Sequence, residues 1–164
     1  MKKKIAVGAV LITLLLVGGG LWYTRPQSFW AVTGMDRAAI TGASGIVIES
    51  FYENGTPEQQ VWEIDGLTPG QEGYEALLEL LEGSTYRAHL GNLTAPFSDS
   101  QPGSELWVQL SFAADGELFS VQIPVSQTMT TPLPDSYGYL RYDASNPQLQ
   151  AELFQYIQAN GEKS

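Results

Sequence analysis

A single histidine and a complete absence of cysteine set narrow limits on the chemistry this chain can perform. A Ser–His–acid relay needs an imidazole base, and His89 is the one imidazole available. No Gly-x-Ser-x-Gly elbow accompanies it; Gly42-Ala43-Ser44-Gly45 falls one residue short. Lys2–Lys4 and Lys163 lie towards the two ends of the chain, which leaves a Ser–Lys mechanism without a base near a serine-bearing core. Glu49, Glu53 and Glu63, with Asp99 and Glu105, can be arranged on paper into glycosidase pairs. Twelve Glu and six Asp make some adjacent pair inevitable, so proximity alone assigns nothing. The acidic run FSDSQPGSE lacks the ligand spacing of an EF loop. The sequence therefore specifies no catalytic residue, no metal ligand and no cofactor.

Aromatic residues remain. Tyr137, Tyr139 and Tyr142 flank Arg141 in the run YGYLRY, and Trp107 alternates with Leu106 and Val108. Tyr and Trp on a sheet surface offer large contact area at low entropic cost. These five residues form the candidate binding surface. The competing reading is that alternating tyrosines fill a sheet face or lie beneath helices.

Charge narrows the partners. Three of the eight basic residues precede Arg25 and no acid does, so the remainder carries five basic against 18 acidic groups, a net charge of −13. A nucleic-acid binder needs a basic face to neutralise phosphates, which excludes that class. Anionic wall polymers are repelled for the same reason, which ranks a glycan ligand below a protein partner.

The elements that position these residues begin with Lys2-Lys3-Lys4 and an uncharged run, IAVGAVLITLLLVGGGLWY, from Ile5 to Tyr23. Nineteen helical residues reach about 28 Å, close to the hydrocarbon thickness of a bilayer. Ile5, Leu11, Leu14, Leu15 and Leu16 supply the apolar body, and Trp22 with Tyr23 suits the headgroup boundary. The lysines predict a cytoplasmic N-terminus and an extracytoplasmic C-terminal domain. The alternative is a cleaved signal sequence ending near Gly20, which yields a secreted domain. Residues 1–24 are thus read as a signal anchor, 25–45 as a neck and 46–164 as the exported domain.

Within that domain, Ile46–Glu53 reads as a strand, turned by Asn54-Gly55 into a return strand at Gln60–Ile64. Thr68, Pro69 and Gln71 have the pattern of a capping box. The helix they open carries Tyr74, Leu77, Leu78 and Leu81 on one face and Glu72, Glu75, Glu79 and Glu82 on a solvated one. Alternation predicts strands at Ser84–Leu90, Leu106–Phe112, Glu117–Val125 and Tyr137–Tyr142, with TTPLPD (130–135) as a connection. Ser145 caps a last helix striped by Leu149, Leu153, Tyr156 and Ile157. The expected fold is α+β: one antiparallel sheet of about six strands in the order β-β-α-β-β-β-β-α, with two helices on one face.

The KKK-plus-apolar start, the strand Ile46–Tyr52, the run YEALLELLEGSTYRAHL and the closing YGYLRY with its helix together resemble small membrane-anchored extracytoplasmic α+β domains of Gram-positive bacteria. The resemblance is one of organisation. It implies no activity and no functional residue. The expected function is a non-catalytic interaction module of the cell envelope with a membrane or envelope protein as partner. The alternatives are a glycan-binding domain using exposed Trp and Tyr and, after it, a hydrolase.

Overall fold

A computed structural model describes the chain apart from residues 1, 54, 94–104, 115–116, 126–127 and 133–138; within it, side chains 2–11, 93, 114, 128, 130–132 and 139 are left aside. The fold is α+β. Helices α1 (Lys2–Tyr23) and α2 (Phe29–Thr33) and a 3-10 turn at Arg37–Ala39 lead into the hairpin β1 (Ile40–Glu53) and β2 (Thr56–Leu67). There follow α3 (Glu72–Glu82), β3 (Tyr86–Ala88), a 3-10 turn at Leu90–Leu93, β4 (Glu105–Ala114) and β5 (Glu117–Pro124). The chain continues through β6 (Thr128–Pro132), β7 (Tyr139–Ala144), α4 (Leu149–Asn160) and β8 (Glu162–Lys163).

The expected single sheet is two. A five-stranded antiparallel sheet has the order β5-β4-β1-β2-β8, and a three-stranded one the order β3-β7-β6. The expected order survives as a subset, with β6 and β8 added. The sequence at β6 carries Pro132, which is tolerated because it is the strand's last residue, at the edge of the small sheet. An isolated Val125–Met129 bridge lies where β5 passes into β6.

Helices α3 and α4 pack on one face of the main sheet. A Cβ placed on Gly45 would lie 2.7 Å from Ile157 Cδ1, so the absent side chain is what lets α4 approach β1. Trp62 meets Phe154 with ring centroids 6.2 Å apart, and the Tyr156 hydroxyl donates to the Gly73 carbonyl at 2.9 Å. Val47, Leu106, Val108, Leu110 and Ile123 fill the same side and are buried.

Both helix starts differ from their sequence reading. Gly70 takes φ +88, which breaks the helical path right after Pro69, so α3 starts at Glu72 rather than after Thr68. The Thr68–Gln71 relation persists as half of a box: the Thr68 amide donates to Gln71 Oε1 at 2.6 Å. At α4, Ser145 instead accepts from the Thr85 amide at 3.0 Å, tying the helix entry to β3. Asn146 organises the turn, accepting from the Gln148 amide at 2.9 Å and donating to Glu152 at 2.8 Å.

The stretch read as a neck contributes to the core. Phe29 is fully buried against Tyr86, and Val32 is buried beside it. Ser28 caps α2 by accepting from the Ala31 amide, and Gly34 ends it at φ +70. Trp30 donates its indole N–H to Glu82, while Arg37 reaches Glu75 at 2.7 Å and Glu82 at 2.8 Å. Part of the acidic face of α3 is thus a docking surface for residues 30–37 rather than a purely solvated face. The Arg37 pairs are about two-fifths exposed, where such pairs contribute about 0–1 kcal/mol. Burial of Phe29 and Val32 is the larger force. First the hydrogen bond to Glu75 and then the charge of Glu82 raise the Arg37 pKa above its ordinary value.

Four tyrosines are held by burial. Tyr74, Tyr86, Tyr142 and Tyr156 all have pKa values raised, in each case chiefly by desolvation. Tyr86 is the extreme, fully buried with its hydroxyl donating to the Leu81 carbonyl at 2.7 Å. A phenol whose folded pKa lies above its unfolded value of 10.0 stabilises the fold fully below that pH. As pH rises past it, the unfolded chain ionises first and stability falls. The expected result is phenolate absorbance that lags that of the denatured chain above pH 10, with the denaturant midpoint declining over the same range. Coincident native and denatured titration curves would contradict it.

Candidate functional site

Alternation along β4 places Leu106, Val108 and Leu110 under the helices and turns Trp107, Gln109 and Ser111 to the other side. Cross-strand register assembles that side rung by rung. Trp107 stands between Ile46 on β1 and Pro124 on β5, and Ile46 is opposite Glu63 on β2, which faces Glu162 on β8. The next rung outward is Glu105, Ile48 and Val61. In the other direction lie Gln122, Gln109 and Ser44, then Ser120 and Ser111. The outer face therefore grades from an apolar centre at Ile46, Ile48, Val61 and Trp107 to a polar end.

Each part is locally organised. Trp107 is half-buried, with its indole N–H 3.4 Å from Glu105 Oε2. Directly opposed pairs such as Ile46–Trp107 set their side chains next to each other on one face of the sheet. Gln122 donates to Gln109 at 3.2 Å, and the Thr41 hydroxyl donates to the Ser111 carbonyl at 3.3 Å. The polar end opens into a shallow groove of about 390 Å³ lined by Thr41, Ser44, Asp65, Gln109, Ser111 and Ser120, among others. Leu118, 78% exposed, stands at its rim.

The structure does not gather the five sequence-nominated residues into one patch. Trp107 belongs to the main sheet. Tyr142 is buried in the small one, opposite Ala88 and Met129. Arg141 points to the other side of β7 and is half-buried, its guanidinium against Gly91 and its backbone bracketed by the Asn92 side chain at 3.0 and 2.8 Å. Tyr137 lies outside the described residues, and of Tyr139 only the backbone, in β7, is described. Tyr142 thus follows the packing reading of the tyrosines, while Trp107 keeps a surface position. Ile46, Ile48 and Val61 escaped nomination because β-branched strand residues read as core. Their facing depends on β1 pairing with β4, a distant partner.

His89 is half-buried at the end of β3, where its Nδ1 accepts from the Gly91 amide at 2.9 Å. That bond occupies the nitrogen on the backbone side and fixes the ring against the Leu90–Leu93 turn. Among the described residues no cluster of three or more His, Asp or Glu side chains has the geometry to hold a metal ion.

Of the residues read as an anchor, Leu14, Leu15, Leu16 and Trp22 are exposed on α1, and Tyr23 packs against the core. Ile5 and Leu11 lie in α1, with their side chains outside the described set. Among the described residues no helix is long and apolar enough to cross a membrane. No protein family, no curated protein and no solved structure matches the chain.

Proposed function

We propose that the chain is a non-catalytic interaction module of a cell envelope, anchored through α1 and presenting the outer face of its main sheet to a membrane or envelope protein. The observation that carries the reading is the apolar centre at Ile46, Ile48, Val61 and Trp107, set on the side of the sheet away from α3 and α4. Aromatic anchors ringed by polar groups are the usual composition of a binding centre. Glu63, Glu105 and Glu162 flank it, so a partner with basic groups around an apolar patch is the complementary surface. The anchor itself rests on the uncharged run Ile5–Tyr23 behind three lysines and on the helical path from Lys2 to Tyr23.

The test is photocrosslinking from Gln109 in intact cells that express the full chain, comparing the unaltered sequence with Trp107→Ala and Ile46→Ser. One recurrent membrane protein, lost in both variants, is the expected result. With that protein purified, Trp107→Ala should weaken binding by about 2 kcal/mol or more. Unchanged capture in both variants would remove the outer face from consideration.

A second reading follows from the groove. Its hydroxyls and amide are donor groups that sugars use, and the Trp107 indole, a stacking group, lies on the same face of β4 as Gln109. It requires saturable, salt-resistant sedimentation with purified wall material, lost on Trp107→Ala. Recovery of wall fragments in place of a protein would favour it.

A further inference from the structure

Helix α1 passes into the domain with little slack. The Thr24 hydroxyl and amide both bond to the Gly20 carbonyl, and two residues beyond Arg25 the chain forms an antiparallel bridge: the Gln27 amide donates to the Tyr86 carbonyl at 2.9 Å and the reverse bond is 2.8 Å. The bridge fixes Gln27 opposite Tyr86 on β3, four residues past the end of α1. Tyr23 packs on the core and lies near enough to Tyr142, the strand partner of Ala88, to affect its ionisation. The end of α1 and the Ala88–Leu90 end of the small sheet are therefore neighbours.

That end has an unusual composition for this chain. Arg25, Arg87 and Arg141, three of the five basic residues beyond the N-terminal lysines, lie on the segments that meet there. Arg25 stacks over the Trp22 ring at 5.1 Å. Arg87 is exposed, with Asp143 as its cross-strand neighbour. Leu90 is 60% exposed and Trp22 67%. An exposed leucine beside basic groups, on an otherwise acidic domain, matches a surface of apolar tails under anionic headgroups.

We propose that this end of the small sheet rests on the headgroup layer of an anionic bilayer, with Leu90 entering beside Trp22 and with Arg25 and Arg87 directed to lipid phosphates. The inference rests on the reading of α1 as the anchor. It adds a fixed seat for the domain, since the acidic remainder is repelled by the same surface.

The absence of cysteine makes the test direct. Full-length chain carrying Ile12→Cys, Leu90→Cys or Leu118→Cys, each labelled with a polarity-sensitive fluorophore, is reconstituted in phosphatidylcholine vesicles with or without phosphatidylglycerol. Quenching by acrylamide, an uncharged aqueous quencher, is then compared. The expected result is a label at position 90 quenched several-fold less than one at 118, more so with phosphatidylglycerol, the protection being lost with Arg25→Glu plus Arg87→Glu. A shielded position 12 with position 90 as accessible as 118 overturns the seat and leaves the anchor standing. Position 12 as accessible as 118 overturns the anchor and the seat with it. Protection at 90 that ignores both phosphatidylglycerol and charge reversal overturns the seat on lipid phosphates.

Discussion

Phe29→Ala should lower the unfolding free energy by about 3–5 kcal/mol, the range for truncating a fully buried aromatic residue. The residue stands outside the sheets and upstream of β1, yet it is 0% exposed and lies between Trp30 at 4.9 Å and Tyr86 at 5.9 Å. Removal of its ring opens a cavity where α2, α3 and β3 converge, and the fixed backbone of β3 leaves little room for collapse. Arg37→Ala, by contrast, should change stability by about 1 kcal/mol or less, because its ion pairs are exposed. Guanidinium denaturation of both variants checks the ordering. Equal effects would mean that residues 25–39 are held by charge rather than by burial. The same argument predicts that a chain starting at Ile40 is much less stable than one starting at Arg25, although both contain every strand of the main sheet.

Gly45→Val should cost about 1–3 kcal/mol or more through overpacking. The cause is local. A Cβ there meets Ile157 at 2.7 Å on Cδ1 and 3.0 Å on Cγ1, and Ile157 is fully buried with no free side to swing into. Its φ is not the issue, since Gly45 is absent from the positive-φ glycines. The discriminating experiment is a double-mutant cycle. Ile157→Ala costs about 2–5 kcal/mol alone, and combined with Gly45→Val it should cost less than the sum, because each change relieves the other. Strict additivity would show that the helix does not approach β1 at this glycine.

Periodicity within a segment was legible; pairing between segments was not. Tyr74, Leu77, Leu78 and Leu81 repeat at helical spacing, and all four are buried on α3. Leu106, Val108 and Leu110 alternate as a strand should, and they are buried as well. Division into two sheets escaped the sequence because it depends on β3 choosing β7 rather than a main-sheet strand, and no residue pattern encodes that choice. The β8 strand escaped for another reason: Glu162–Lys163 is too short to show alternation. It docks on β2 because Gly161 lets the Glu63 carbonyl of β2 lie 2.9 Å from where a Cβ would stand. The surface followed the same rule. Trp107 was readable from its own strand, whereas Ile46, Ile48 and Val61 needed the β1 register to show which way they face.

The position of β1 also orders events in time. Its partner β2 is the next strand along and can zip from the Gly55 turn, but its other partner, β4, arrives only after α3 and β3. Closing that long loop is the slow, entropically costly step of a sheet with distant pairings. Until it closes, the hairpin has a bare inner edge, open to wrong partners. The face that carries Ile46 and Trp107 is created by that closure and by nothing earlier, so a chain able to bind through it is by construction a chain that has finished folding.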